Sequence, residues 1–158
     1  MKHNLRIGLL GLLLTGLLAG LPGDVAADGN GGDELFSKNP DYVKAVDLIR
    51  DNKFAEAIPL LEKVVAKDER DADAYNMLGF STRKLGRFTE ALAHYKQALA
   101  IDPGHRGAHE YIGEAYLALG QLERAKVHLA FLDDDCWLPC EQFTDLKEAI
   151  ASYETKTR

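Results

Sequence analysis

Residues 75–104 read YNMLGFSTRKLGRFTEALAHYKQALAIDPG, and this stretch decides the fold because its pattern recurs on both sides of it. Alanines repeat every 34 positions, at Ala57, Ala91 and Ala125. Other columns keep the same interval: Ala45, Gly79 and Gly113; Asn52, Gly86 and Gly120; Phe54, Phe88 and Leu122; Leu61, Tyr95 and Leu129. Such a period is typical of stacked helix–turn–helix units, which bury each other's apolar faces. The sequence therefore predicts an all-α solenoid.

Three units are expected, at about 38–70, 71–104 and 105–135, each with a first helix A and a second helix B. The pattern predicts helices at about Pro40–Asn52, Phe54–Lys67 and Ala72–Leu85, and another that ends near Ile101. Small residues such as Gly79 and Gly113 are expected where helix A meets helix B closely. Residues 136–158 should form a Cys-bracketed loop and an amphipathic helix, about Glu141–Thr155, that caps the array.

The second unit resembles the tetratricopeptide repeat. It carries the run Y-x-x-L-G-x-x-T followed by A, Y, A and P, at Tyr75, Leu78, Gly79, Thr82, Ala91, Tyr95, Ala98 and Pro103. The likeness is good in the third unit and weaker in the first, which has Asp41 and Lys44 at the opening columns. Residues 136–150 are also similar to the tail of small exported bacterial members of this family. The resemblance implies a right-handed superhelix whose concave groove holds peptides or partner proteins, and it implies no catalysis.

In this family the A helices line the concave side, so their positions not used for packing should form the ligand groove. The predicted groove residues are Tyr42, Val46, Ile49, Asn76, Phe80, Arg83, Glu110, Glu114 and Leu117. We expect an apolar anchor of the ligand near Tyr42 and Phe80, and a basic group near Glu110 and Glu114. The alternative is that Phe80 packs against Tyr42 or Tyr116 and that the glutamates are solvated.

A clamp for a ligand's C-terminal carboxylate is another use that the family makes of these positions. Only Asn76, Arg83 and Lys84 suit an anionic ligand, and the glutamates of the third unit repel one. The clamp is therefore disfavoured, and Asn76 is expected to hydrogen-bond the main chain of an extended peptide.

The N-terminus has the features of a secretory signal. Lys2 and Arg6 precede an apolar run from Ile7 to Leu21, and Val25-Ala26-Ala27 offers a cleavage site after Ala27. We expect residues 1–27 to be removed, residues 28–37 to form a flexible Gly-rich leader, and the mature chain to be periplasmic or secreted. An uncleaved membrane anchor is the alternative.

The charge of the chain limits its partners. Its formal net charge is −6, so nothing attracts it electrostatically to nucleic acid or to an anionic membrane once the signal is cleaved. A protein or peptide partner is expected, and the apolar first unit leaves a homo-oligomer open.

The two cysteines, Cys136 and Cys140, lie in the exported part, where an oxidising compartment favours a disulfide. A structural clasp between the last repeat and the cap is the favoured interpretation. A redox pair generally has two intervening residues at a helix N-terminus, whereas three intervene here after the acidic run Asp133–Asp135, which disfavours a thiolate.

No catalytic or metal centre is expected. His105 and His109 are four residues apart, but His105 precedes its helix and no Cys or carboxylate is placed to complete a tetrahedral zinc site. The chain has no Gly-rich phosphate loop and no Ser–His–Asp order. The sequence predicts a cofactor-free, non-catalytic adaptor or assembly factor, with a thiol-redox helper or a self-associating structural module as alternatives.

Overall fold

Seven α-helices and no strand make up residues 39–138 and 140–157, which the computed structural model describes. The predicted signal peptide and leader lie outside these residues. The helices are α1 Pro40–Arg50, α2 Phe54–Lys67, α3 Ala72–Lys84, α4 Phe88–Ile101, α5 Arg106–Ala118, α6 Leu122–Asp135 and α7 Glu141–Lys156. They form three successive A–B pairs followed by a final helix, which confirms the predicted fold class.

The A helices end at the turn column of the sequence repeat. Asn52, Gly86 and Gly120 all have positive φ, at 61°, 78° and 72°. In the second unit Arg87 N–H donates to the Thr82 carbonyl at 3.1 Å and Gly86 N–H to the Arg83 carbonyl at 2.9 Å. These bonds satisfy the last carbonyls of the helix, and glycine adopts the required left-handed conformation without a Cβ clash. Helix α1 accordingly ends at Arg50, before the predicted Asn52.

The second unit shows why one column holds only small residues. A Cβ on Gly79 would lie 2.4 Å from Cε1 of Tyr95, a fully buried ring on α4. Helix A thus approaches helix B as closely as the sequence predicts there. At Gly113 the nearest atoms belong to α7, a contact that the sequence did not predict, because a Cβ there would lie 2.5 Å from Leu146.

Helix α7 keeps the register of the repeat although the sequence pattern has changed. Leu146 and Ile150 follow Ile112 and Tyr116 of α5 by 34 residues, and all four side chains are buried in one cluster. Helix α7 packs against both α5 and α6. It therefore occupies the place of helix A in a fourth unit, and it covers the apolar edge that the third unit would otherwise expose.

The turn before α7 is bridged by the two cysteines. Cys136 ends α6 as Asp102 ends α4, with a backbone N–H bonded to the carbonyl four residues earlier. Cys140 is the N-cap residue of α7. Their sulphur atoms lie 2.11 Å apart, at disulfide bonding distance, and their Cα atoms are 5.9 Å apart. The bridge thus joins the last B helix to the final A helix.

Two histidines meet between α5 and α6. His109 Nε2 lies 3.0 Å from the Pro103 carbonyl, which only accepts, so Nε2 carries a proton. His109 Nδ1 then accepts a hydrogen bond from His128 Nδ1–H, across 2.9 Å. Phe131 stacks on the His109 ring at 3.6 Å. The arrangement holds both imidazoles neutral, and burial lowers the pKa of His109 and lowers that of His128 to about 4.

We expect the Gly79→Ala variant to lose roughly 1–3 kcal/mol of stability, because the added methyl overlaps the Tyr95 ring. Urea denaturation of the protein measures this loss. Gly104→Ala is the matched control, since the nearest atom to a Cβ there is 3.5 Å away. Equal midpoints for the two variants would contradict the close approach.

Acid should weaken the α5–α6 contact. His128 is neutral in the folded protein down to a pKa of about 4 but takes up a proton near pH 6.5 when unfolded. The unfolded state therefore binds more protons between these values, and stability falls as the pH drops through that window. We expect His128→Gln to flatten the dependence of the melting temperature on pH between pH 6.5 and pH 4. Parallel curves for the two proteins would show that the imidazole is not desolvated.

Candidate ligand-binding groove

The A-helix face, defined here by the nine predicted groove residues of α1, α3 and α5, is less open than the sequence suggests. Val46, Ile49, Phe80, Arg83 and Glu114 are half-buried, whereas four of the nine are buried, namely Tyr42, Asn76, Glu110 and Leu117.

Tyr42 and Leu117 are corrections to the predicted set, because both side chains belong to hydrophobic clusters rather than to positions free of packing. Neighbouring A helices pack directly against one another, α1 on α3 and α5 on α7. Residues at the edges of this face are therefore covered by the next A helix. For Leu117 the covering helix is α7, whose Ala149 and Tyr153 line the same surface depression.

The apolar end of the A-helix face is a cleft of about 330 Å³ between α1 and α3. It is lined by Tyr42, Val43, Val46, Asp47, Arg50 and Met77. Val43 is an exposed apolar residue here, and the sequence reading missed it. The cleft supplies the apolar surface that was predicted near Tyr42, but Phe80 is not part of it.

Phe80 sits at the middle of the face within an aromatic row. Its ring centroid is 6.0 Å from that of Phe54 and 5.0 Å from that of Tyr111. Phe54 and Tyr111 are therefore aromatic neighbours of Phe80 that were not among the partners considered from the sequence, Tyr42 and Tyr116. Phe80 remains half-buried, so one part of the ring is held by neighbours and another part is open to solvent.

Arg83 joins this aromatic row to the acidic end of the face. Its Nη2 lies 2.6 Å from Oε2 of Glu114, and its Nε donates to the Tyr95 hydroxyl at 3.3 Å. The guanidinium carbon is 5.4 Å from the Phe80 ring centroid and 5.3 Å from that of Tyr111. Arg83 and Glu114 thus neutralise each other, and neither charge is free for a ligand. The sequence signal for this pair was the presence of opposite charges at neighbouring groove positions of two successive A helices.

Glu110 differs from Glu114 because no cation pairs with it. Its side chain is 7% exposed, and within residues 39–138 and 140–157 no donor is hydrogen-bonded to its carboxyl group. Burial raises its pKa to about 8, with further upward contributions from Glu114, Asp145 and Glu141 and a smaller downward one from Arg83. The carboxyl group is therefore largely protonated near neutral pH, a property that the sequence reading missed.

Asn76 is the second buried polar group on this face. It is 3% exposed, and its Oδ1 has no hydrogen-bond partner among the described residues. Its Nδ2 lies beside Gly107 of α5, where a Cβ would come within 3.2 Å of it. A buried amide oxygen without a donor is costly, so an N–H group that reached this atom would be stabilised.

Comparison with known proteins decides the family. Two family models described as "Tetratricopeptide repeat" match residues 42–105 and 83–133, which together run from α1 to α6 and cover more than half of the chain. The chain belongs to the tetratricopeptide repeat family.

Curated relatives share only a part of their length with this chain. The inactive TPR repeat-containing thioredoxin TTL3 of Arabidopsis thaliana is 29% identical over 96 residues, which are 60% of this chain and 14% of TTL3. Anaphase-promoting complex subunit 7 of Homo sapiens is 32% identical over 76 residues, 45% of this chain and 13% of that protein. The similarity thus spans about one-seventh of these relatives.

Solved structures with the same fold match most of the chain. The type III secretion chaperone SycD of Yersinia enterocolitica, in complex with a peptide of the translocator YopD, aligns with a TM-score of 0.66 at 17% identity, over 75% of this chain and 92% of that one. The first TPR of Spaghetti (RPAP3) bound to an HSP90 peptide aligns with a TM-score of 0.64 at 20% identity, over 72% and 90%. At these identities the likeness shows the fold alone.

Metal sites and membrane-crossing helices are absent from the part of the chain that the structure describes. No three His, Cys, Asp or Glu side chains in residues 39–138 and 140–157 gather closely enough to hold a metal ion. His105 caps α5 instead, since its Nδ1 accepts from Ala108 N–H at 3.2 Å. None of the described helices combines the length and the apolar character that crossing a membrane requires.

We expect Glu110→Gln to change how stability depends on pH. The folded protein holds a proton on Glu110 up to about pH 8, whereas the unfolded chain loses it near pH 4.5. The folded state binds more protons in this window, so wild-type stability falls as pH rises through it. At pH 8 the variant should be more stable by roughly 1 kcal/mol, after discounting for solvent in the groove.

Thermal unfolding at pH 5 and pH 8 measures this difference. Glu62→Gln makes the same change of charge at an exposed position of α2 and is the control. It should leave the dependence of stability on pH unaltered. An unchanged pH dependence in the Glu110→Gln protein would contradict the raised pKa.

Proposed function

We propose that this chain is an exported, non-catalytic scaffold that binds an extended segment of a partner protein along its A-helix face. One observation carries the proposal: polar groups on this face are buried but lack partners, and an apolar cleft lies at one end of it. Asn76 Oδ1 is a fully buried atom without a hydrogen-bond partner, and Glu110, a residue that is 7% exposed, receives no hydrogen bond from the described residues. A scaffold that buried its A-helix face only for stability would pair these atoms or replace them with apolar side chains.

Structural neighbours support the same class of function. SycD carries a peptide of YopD, RPAP3 carries an HSP90 peptide, and PcrH carries the chaperone-binding region of PopD. By analogy this chain would hold a partner segment and act as an adaptor or assembly factor. The analogy rests on fold, and the ligand's chemistry must come from this chain's own residues.

The apolar cleft and the aromatic row indicate how a segment would lie. Val46 and Met77 offer an apolar seat at the α1 end, and Phe80 exposes part of its ring beyond it. Arg83 is neutralised by Glu114, so the face does not attract a C-terminal carboxylate. We infer that the partner supplies an internal segment with an apolar anchor rather than a free C-terminus.

The compartment is inferred from the N-terminal residues. The basic and apolar order of residues 1–27 supports export, and a bridge between Cys136 and Cys140 fits an oxidising compartment. We propose that this bridge is a structural clasp. It spans the turn between α6 and α7, and neither cysteine belongs to the A-helix face.

Site-specific photocrosslinking tests the proposed face. A benzoylphenylalanine at Ala118, an exposed residue beside Glu114 and Tyr153, should crosslink to a partner when the full chain is exported by a bacterial host. The same probe at Ala93, exposed on helix B of the second unit, is the matched control. Excess unlabelled protein should abolish the crosslink, and excess Phe80→Ala protein should not. Equal crosslinking from both probe positions would refute binding on the A-helix face.

A further inference from the structure

Two buried polar side chains that receive no hydrogen bond stand at equivalent positions of adjacent A helices. Asn76 on α3 and Glu110 on α5 are 34 residues apart, and their side chains are 3% and 7% exposed. Asn76 contacts α5 at Gly107, which lies about one turn before Glu110. Asn76 Oδ1 has no hydrogen-bond partner, and no described residue donates to the Glu110 carboxyl. Neither side-chain oxygen receives a hydrogen bond from the described residues.

The charges that face Glu110 are nearly all negative. Glu114 approaches from the same helix, and Asp145 and Glu141 approach from the first turns of α7. Among these neighbouring charges Arg83 on α3 is the cation, and it is already paired with Glu114 at 2.6 Å. An additional cation would therefore be attracted to this end of the face, whereas an anion would be repelled.

We propose that Asn76 and Glu110 form a subsite that receives an arginine side chain of the bound peptide, with Glu141 and Asp145 at its entrance. This inference rests on the proposed peptide-binding function. A guanidinium is planar and carries five N–H donors, so one side chain supplies bonds both to an amide oxygen and to a carboxylate. An ammonium also donates, but as a point charge without this fork.

Binding of the arginine ionises Glu110. The carboxyl group holds its proton near neutral pH while the subsite is empty, because it is buried among other carboxylates. A guanidinium placed against it favours the charged form, so the proton leaves for solvent when the peptide binds. The affinity for an arginine-containing peptide therefore rises with pH up to about pH 8.

Peptide display tests the subsite. The immobilised full chain is used to select from a library of random dodecamers at pH 8, and the enriched peptides are synthesised. We expect arginine at one fixed position, at a constant distance from an apolar residue. Replacing that arginine with citrulline, which keeps the shape but removes the charge, should weaken binding roughly tenfold or more.

Variants of the protein locate the effect. Glu110→Gln should lower the affinity for the arginine peptide about as much as citrulline does, and it should bind both peptides nearly equally. Glu62→Gln, on the exposed side of α2, should bind like the wild type. Titration calorimetry in buffers of different ionisation enthalpy should show proton release on binding by the wild type and none by Glu110→Gln.

The outcomes separate this inference from the function on which it rests. Selected peptides that lose affinity for the Phe80→Ala variant but contain no conserved arginine would overturn the subsite and leave peptide binding intact. An arginine peptide that binds the wild type and Glu110→Gln equally would also overturn the subsite and leave peptide binding intact. Failure to select any peptide that depends on the A-helix face would overturn both.

Discussion

Close approach between paired helices is the contact on which the rest of this structure depends. Gly79 leaves room for the Tyr95 ring where no Cβ fits, and Ala57, Ala91 and Ala125 on the B helices are fully buried. A larger side chain at any of these positions would force a pair apart and change the angle at which the next pair stacks. Because the spacing is fixed in each unit, the A helices come to lie side by side as one face.

The same arrangement limits what that face can offer a ligand. Side chains along its edges pack one A helix on the next, as Tyr42 and Leu117 show. Between them, Val46, Phe80 and Arg83 stay half-buried. Two polar residues of the face, Asn76 and Glu110, are buried, and neither side-chain oxygen receives a hydrogen bond from the described residues. The polar groups of this face are therefore buried or half-buried, and none of them is a fully solvated charge.

The periodic part of the fold was predictable from sequence because it depends on local spacing. Helix ends at Gly86 and Gly120 and the small residue at Gly79 follow from turn geometry and steric exclusion, which one unit already contains. The site was less predictable because it depends on distances between units. The pairing of Arg83 with Glu114, and the burial of Glu110, arise only after α3, α5 and α7 are packed together.

The loop between the bridged cysteines has a practical consequence. Trp137 is the single tryptophan of the chain, and it is 96% exposed beside Leu138, itself 72% exposed. Its indole is exposed to water in the folded protein as well as in the unfolded one. Tryptophan fluorescence therefore changes little when the repeats unfold. The same indole is well placed to report quenchers and neighbouring molecules at the C-terminal end of the array.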